Sequence, residues 1–277
     1  LGIAIFDMMK GKYFIFTLLL LAVSHTYAQD YKRTQNWYFG DSAGLSFATD
    51  PPTVLTDGAM YAIEGCATMS DTNGNLLFYT NGVTVWNKNH QVMDNGTGLK
   101  GDASSTQGAL IVPYPNNDSL FYLFIAYGWT DPNSGFYYSL ININDQGGKG
   151  KVITKNILLQ TPISEKLAAV HHRNGRDFWV ITTDFSGNKL YSFFVGINGL
   201  VVCPVISSTP IAFSSLTAVG EMKISYSGKL IAVARHNTKA VDIMTFNNLN
   251  GTIQYQFSLE HPNPVYGVEF SISERYL

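Results

Sequence analysis

Apolar and polar positions along this 277-residue chain repeat one phrase: a short apolar strand, a polar turn, then a second apolar strand. Copies occupy residues 65–80 (GCATMSDTNGNLLFYT), 109–125 (ALIVPYPNNDSLFYLFI), 167–182 (LAAVHHRNGRDFWVIT), 222–234 (MKISYSGKLIAVA) and 268–277 (VEFSISERYL). They start roughly 45 to 60 residues apart, a period that fits four strands per unit, as in propeller blades, better than the shorter helical repeats. Further strands are predicted inside the units. In the third they begin at Phe178, Lys189 and Leu200, and in the fourth at Leu230, Ala240 and Tyr255, each run bounded by Gly, Asn, Ser or Pro. Asn-Gly pairs at 73–74, 174–175, 198–199 and 250–251 supply the positive φ that tight hairpins need. After residue 28 no segment carries a 3.6-residue apolar period, so almost no helix is expected. The fold class expected is all-β: a β-propeller of four-stranded antiparallel blades, incomplete, with about four blades and the start of a fifth. The fifth copy stops in its second strand, so the sequence is expected to be a fragment of a parent that closes with about seven blades.

Two strands precede the first full unit, Trp37 to Phe39 and Leu45 to Phe47. They are expected to be closing strands that wait for C-terminal partners, since ring closure removes exposed sheet edges. A simple N-terminal edge hairpin is the other possibility. Residues 1–28 follow a different pattern. Lys10 and Lys12 precede an apolar run of about a dozen residues, and small residues stand at Thr26 and Ala28. That run is too short for a ~30 Å hydrocarbon core, which needs ~20 residues. A secretory signal peptide cut near Ala28 is expected in preference to a membrane anchor. Residues 1–28 therefore stand apart from a propeller domain over 29–277.

Composition adds exclusions. With 18 basic and 20 acidic residues the formal charge is −2, so neither a nucleic-acid footprint nor a basic membrane-binding run is present. The 16 Tyr and 17 Phe suit pleated sheet. Export would permit a disulfide between Cys66 and Cys203, but their places in a radial array are far apart, and two buried free thiols are expected instead.

The stretch 36–47 (NWYFGDSAGLSF), with 55–58 (LTDG), 64–93, 95–99 (NGTGL) and 104–107 (SSTQ), resembles a family of large exported proteins of Bacteroidetes. Members carry an N-terminal WD40-like propeller, often followed by PKD modules, and end in a gliding-motility-associated, type IX secretion (type B) sorting domain. The resemblance is dense over 37–107 and continues in register to Tyr276. It implies export to the cell surface, with the export machinery as a partner through a sorting domain that this sequence lacks. It offers no catalytic residues to carry over.

Candidate chemistry is sparse. Asp71 to Asn75 lacks the further ligands of a calcium loop and reads as a turn. His171 and His172 would point to opposite faces of a strand and would not chelate one ion. No nucleophile elbow or phosphate loop occurs. No metal and no cofactor are expected. Glu64, Glu221 and Glu269 lie on or beside first strands, which line the channel of a propeller. Lys223 and Glu269 occupy equivalent positions of neighbouring units and are expected to meet as a partly solvated pair. Trp37, Trp86 and Trp179 sit in strand-like runs and are expected in the core, whereas Trp129 lies in a long polar loop and is a candidate contact residue. Binding candidates are thus Trp129, Glu64, Lys223 and Glu269. The leading expectation is a non-enzymatic interaction module, secreted or on the cell surface, that binds protein or glycan. One alternative is a hydrolase or lyase with its site in the central channel; another is an architectural spacer.

Overall fold

A computed structural model of the chain describes residues 31–127, 135–210 and 218–277. Five antiparallel sheets follow one another along it. The first holds β1 (Asn36–Gly40), β2 (Ala43–Ser46) and β3 (Thr53–Leu55); the second β4 (Ala67–Ser70), β5 (Leu76–Thr80) and β6 (Val85–Asn87). The third holds β7 (Ala109–Tyr114), β8 (Asn117–Ala126), β9 (Phe136–Asn142) and β10 (Lys151–Gln160). In the fourth, β11 (Ile163–His171), β12 (Phe178–Asp184) and β13 (Lys189–Gly196) are followed by β14 (Gly199–Leu200) and β15 (Val205–Ser208), which both pair with β13. The fifth holds β16 (Met222–Ile224), β17 (Leu230–Arg235), β18 (Ala240–Asn247) and β19 (Thr252–Glu260). The first strands touch in succession, β1 with β4, β4 with β7, β7 with β11 and β11 with β16. That is radial order about an axis. The chain is all-β and propeller-like, as its repeat implies, but it forms five sheets where about four and the start of a fifth were expected, and two of them have three strands.

Burial on both faces explains why the strands read as apolar runs. Along β8, Phe121, Leu123 and Ile125 pack with Met69 and Phe78 of the second sheet, while Tyr122, Phe124 and Ala126 pack with Val180 and Phe193 of the fourth. Along β12, Val180 faces the third sheet; Trp179 and Ile181 face Ile231, Val233 and Met244 of the fifth. A central blade is thus buried on both sides and needs an apolar residue at nearly every position, at ~1.5–3 kcal/mol for each large side chain buried.

One turn recurs where the first strand passes to the second in the second, fourth and fifth sheets. Ser225 N donates to Leu230 O and Gly228 N to Ser225 O; the same pair of bonds joins Asp71 to Asn75 and His172 to Asp177. It joins Ser271 to Tyr276 as well, but the glycine position there is Glu274, at φ 56°. No strand forms over 268–277; Val268 and Phe270 pack on Ala232, Val241 and Ile243.

Several expectations change. β1 pairs with β2, and β2 with β3, a strand that the sequence pattern missed, so Trp37 to Phe47 pair within the N-terminal segment as a three-stranded sheet. Trp37 is 48% exposed beside Phe39 and Phe47 on the uncovered face of that sheet, not in a core. Both cysteines are free, but neither is buried: Cys66 is half-buried and Cys203 exposed, because Cys203 follows β14 at the outer margin of its blade. The leader (1–28) and Trp129 lie outside the described residues.

Candidate functional site

The segments entering the first strands converge at one end of the axis. Residues 102–108 are shaped by Asp102, whose Oδ1 accepts the Ser104 amide and whose carbonyl accepts the Ser105 amide. This loop presses against Gly65, where a Cβ would stand 2.4 Å from Gly108 N, so only glycine allows the approach. Gln107 then reaches across two neighbouring blades. Its Oε1 accepts Met222 N at 2.8 Å and Leu167 N at 3.2 Å, and its Nε2 donates to Met222 O at 3.1 Å.

Next to Gln107, Thr106 links three segments. Its amide and its hydroxyl both donate to Glu165 Oε2 at 2.8 Å, and its Oγ1 lies 3.0 Å from the Tyr266 hydroxyl. The Glu64 carboxylate is close enough to act on the Tyr266 hydroxyl. Thr106 thus joins Glu165 to Tyr266 in a short chain, with Glu64 near its end. Burial pushes the Tyr266 hydroxyl up, against a downward pull from Thr106 and with a further upward push from Glu64.

Glu165 is fully buried, and a bulge places it there. The β11–β12 register shifts between Ile163 and Leu167, which frees residues 164–166 from the ladder. Ser164 Oγ ties the distortion to Thr183 Oγ1 at 2.7 Å, and Thr182 Oγ1 donates to Lys166 O. Bulges commonly re-aim side chains beside sites. Lys166, also fully buried, donates to Val219 O at 2.9 Å and Gly220 O at 2.8 Å. Burial pushes its ammonium down to about 7, while Glu165 and Asp242 pull it back up.

A cleft of about 460 Å³ opens beside this chain, lined by Tyr266, Gly267, Glu269 and His261 among others. Glu269 accepts Lys223 there, Nζ to Oε2 3.1 Å, with both side chains reaching solvent. Of the sequence candidates, Glu64 therefore lies near the end of the chain, and Lys223 and Glu269 pair at the cleft. Thr106, Glu165 and Tyr266 carried no sequence assignment. Two signals pointed toward them: the SSTQ run before β7, and a Glu-Lys pair at the start of an apolar strand. A larger cleft of about 700 Å³ lies between the fourth and fifth blades. It is lined by the far ends of the first strands and holds no carboxylate. Among the described residues no group of three or more His, Cys, Asp or Glu is placed to hold a metal ion. His172 Nε2 instead meets Leu249 O at 3.0 Å. No helix among the described residues is long and apolar enough to cross a membrane.

No protein-family model and no curated protein matches the chain. Solved structures do. A periplasmic gluconolactonase from Pseudomonas aeruginosa matches at 13% identity and TM-score 0.43, over 80% of this chain and 64% of that one. A candidate 6-phosphogluconolactonase from Bacteroides fragilis matches at 14% identity and TM-score 0.45, over 86% of this chain and 70% of that one. The β-propeller domain of Swd1 from Myceliophteria thermophila matches at 9% identity and TM-score 0.37, over 81% and 71%. The chain spans 64 to 71% of the length of these proteins. The expectation of a non-enzymatic interaction module is corrected at this point. Two of the three are named as lactonases, which are enzymes and not interaction modules. At such identities the likeness speaks of fold, and the chemistry of this site rests on its own geometry.

Proposed function

We propose that this chain is a hydrolase-type propeller whose chemistry is carried by Glu165, Thr106, Tyr266 and Glu64 at the end of the channel. The observation that carries the proposal is the fully buried Glu165 carboxylate held by Thr106, whose hydroxyl meets that of Tyr266 beside an open cleft. In this scheme a substrate with an ester-type bond enters the cleft against Tyr266. Glu165, acting through Thr106, draws a proton from the attacking water, and Tyr266 hydrogen-bonds the carbonyl oxygen as charge develops on it; the acyl C–O bond then breaks and the leaving oxygen takes that proton back from Glu165 through Thr106. Lys166, held in the wall, offsets the negative charge of Glu165. The lactones named for two of the matched proteins are the first substrates to test.

The test is pH-stat hydrolysis of glucono-1,5-lactone and of a simple acetyl ester. Turnover above the buffer rate is expected, with Glu165→Gln and Tyr266→Phe each lowering kcat ~100-fold or more, while thermal melts confirm that the variants fold. No turnover, or wild-type kcat in a folded Glu165→Gln protein, would overturn the assignment. We also propose that the protein is exported to the bacterial surface by the type IX route. The leader pattern of 1–28 and the resemblance over 37–107 support this. A mature protein beginning at Gln29 in the extracellular or surface fraction is expected; an uncleaved cytoplasmic product would refute it.

A further inference from the structure

The cleft between the fourth and fifth blades is a built groove with no part in the chemistry above. Its walls are the recurring turns of two neighbouring blades. They lie at the opposite ends of the first strands from Glu165, six residues and roughly 20 Å away along β11. A hairpin of the fifth blade locks these walls together: Asn248 O accepts both Arg173 N at 3.1 Å and Trp179 Nε1 at 2.9 Å. Gly228, at φ 68°, keeps the floor open, for a Cβ there would meet Val170 at 3.0 Å and the Asn248 amide at 3.1 Å. At about 700 Å³ the space is in the range of small-ligand sites.

The lining is chemically uneven. Arg173 and Lys229 bring two cations, and neither has a carboxylate within ion-pair distance among the described residues. Asp177 nearby is taken by Arg176 at 2.9 Å, and Glu274, whose charge reaches Lys229, is engaged by Ser227. Tyr226 lines the groove with its flat ring 86% exposed. The Asn248 side-chain amide is half-buried and has no hydrogen-bond partner among the described residues. A guanidinium fork selects a planar carboxylate, an exposed ring takes the C–H face of a pyranose, and a free amide takes hydroxyls.

We propose that this groove is an accessory site for a carboxylate-bearing saccharide, with Arg173 holding the carboxylate, Lys229 adding charge, Tyr226 stacking on the sugar ring and Asn248 bonding its hydroxyls. The site is independent of the hydrolytic assignment, so either can fail alone. The test is calorimetric titration of the full chain with a galacturonic acid tetrasaccharide, its fully methyl-esterified form and inorganic phosphate. Saturable binding of the acid is expected, with the ester at least 10-fold weaker and phosphate weaker still. Arg173→Ala should weaken the acid at least 10-fold and Tyr226→Ala about 5-fold; both side chains are exposed, so the fold should be kept. Glu274→Gln removes a competing negative charge and should tighten binding 2- to 3-fold. No saturable binding, equal affinity for acid and ester, phosphate matching the acid, or an unchanged Arg173→Ala would each overturn the proposal.

Discussion

Replacing Gln107 by alanine removes a side chain that ties the first strands of three blades together at the channel. Three hydrogen bonds go, to Met222 N, Leu167 N and Met222 O. The residues left behind are buried, Leu167 at 2% exposure and Met222 at 0%, so water does not readily replace the lost partner. At about 1 kcal/mol net per bond the loss is ~3 kcal/mol, and stranded backbone groups at ~1–3 kcal/mol each raise the ceiling further. A working value of ~3–4 kcal/mol corresponds to a fall in Tm of roughly 10 °C for a domain of this size. Gln107→Glu separates the contributions. It keeps an acceptor for the two amides but turns a carboxylate oxygen toward Met222 O, so a smaller loss of ~1–2 kcal/mol is expected. Urea unfolding followed by tryptophan fluorescence reads both variants. If alanine costs less than ~1 kcal/mol, or if glutamate costs as much as alanine, Gln107 is not the strut described here.

Two further outcomes follow from the buried charges. Lys166 is pushed from 10.5 to about 7 in the folded chain, so between these values the unfolded chain binds more protons and stability rises with pH. The rise is on the order of 5 kcal/mol for the whole shift, and it should be present in wild type and absent from Lys166→Met; identical pH slopes in the two would count against a neutralised buried lysine. In the fifth blade Asp242 is wholly buried. Its Oδ1 accepts Arg235 Nη2 at 2.9 Å and the Ser258 hydroxyl at 2.7 Å, while Arg235 Nε stands 2.8 Å from Oδ2, close in charge but outside hydrogen-bond alignment. Asp242→Asn leaves Arg235 unpaired and should cost about 3 kcal/mol in denaturant melts, since one-sided removal of a buried ion costs ~3–5 kcal/mol; a change under ~1 kcal/mol would mean that the pair is solvated.

The sequence by itself determined the blades. Runs such as Phe121 to Ala126, ended by Gly, Asn and Pro, can satisfy burial only if both faces of the sheet are covered, and Asn-Gly pairs mark four of the places where a strand reverses. The meeting of Lys223 with Glu269 also follows from that period, because equivalent positions of adjacent blades share one end of the axis. What the sequence left open was everything decided across blades. Thr106, Glu165 and Tyr266 are 59 and 101 residues apart along the chain, and no local pattern relates them. The β11 bulge that turns Glu165 inward is a two-residue shift in pairing register, invisible until the partner strand is in place. β3 was missed because three residues, two of them exposed, carry no periodic signal. Local propensity and turn chemistry act over a few residues and write themselves into the sequence. A hydrogen-bonded chain drawn from three distant segments depends on where their backbones converge, and only the tertiary structure decides that.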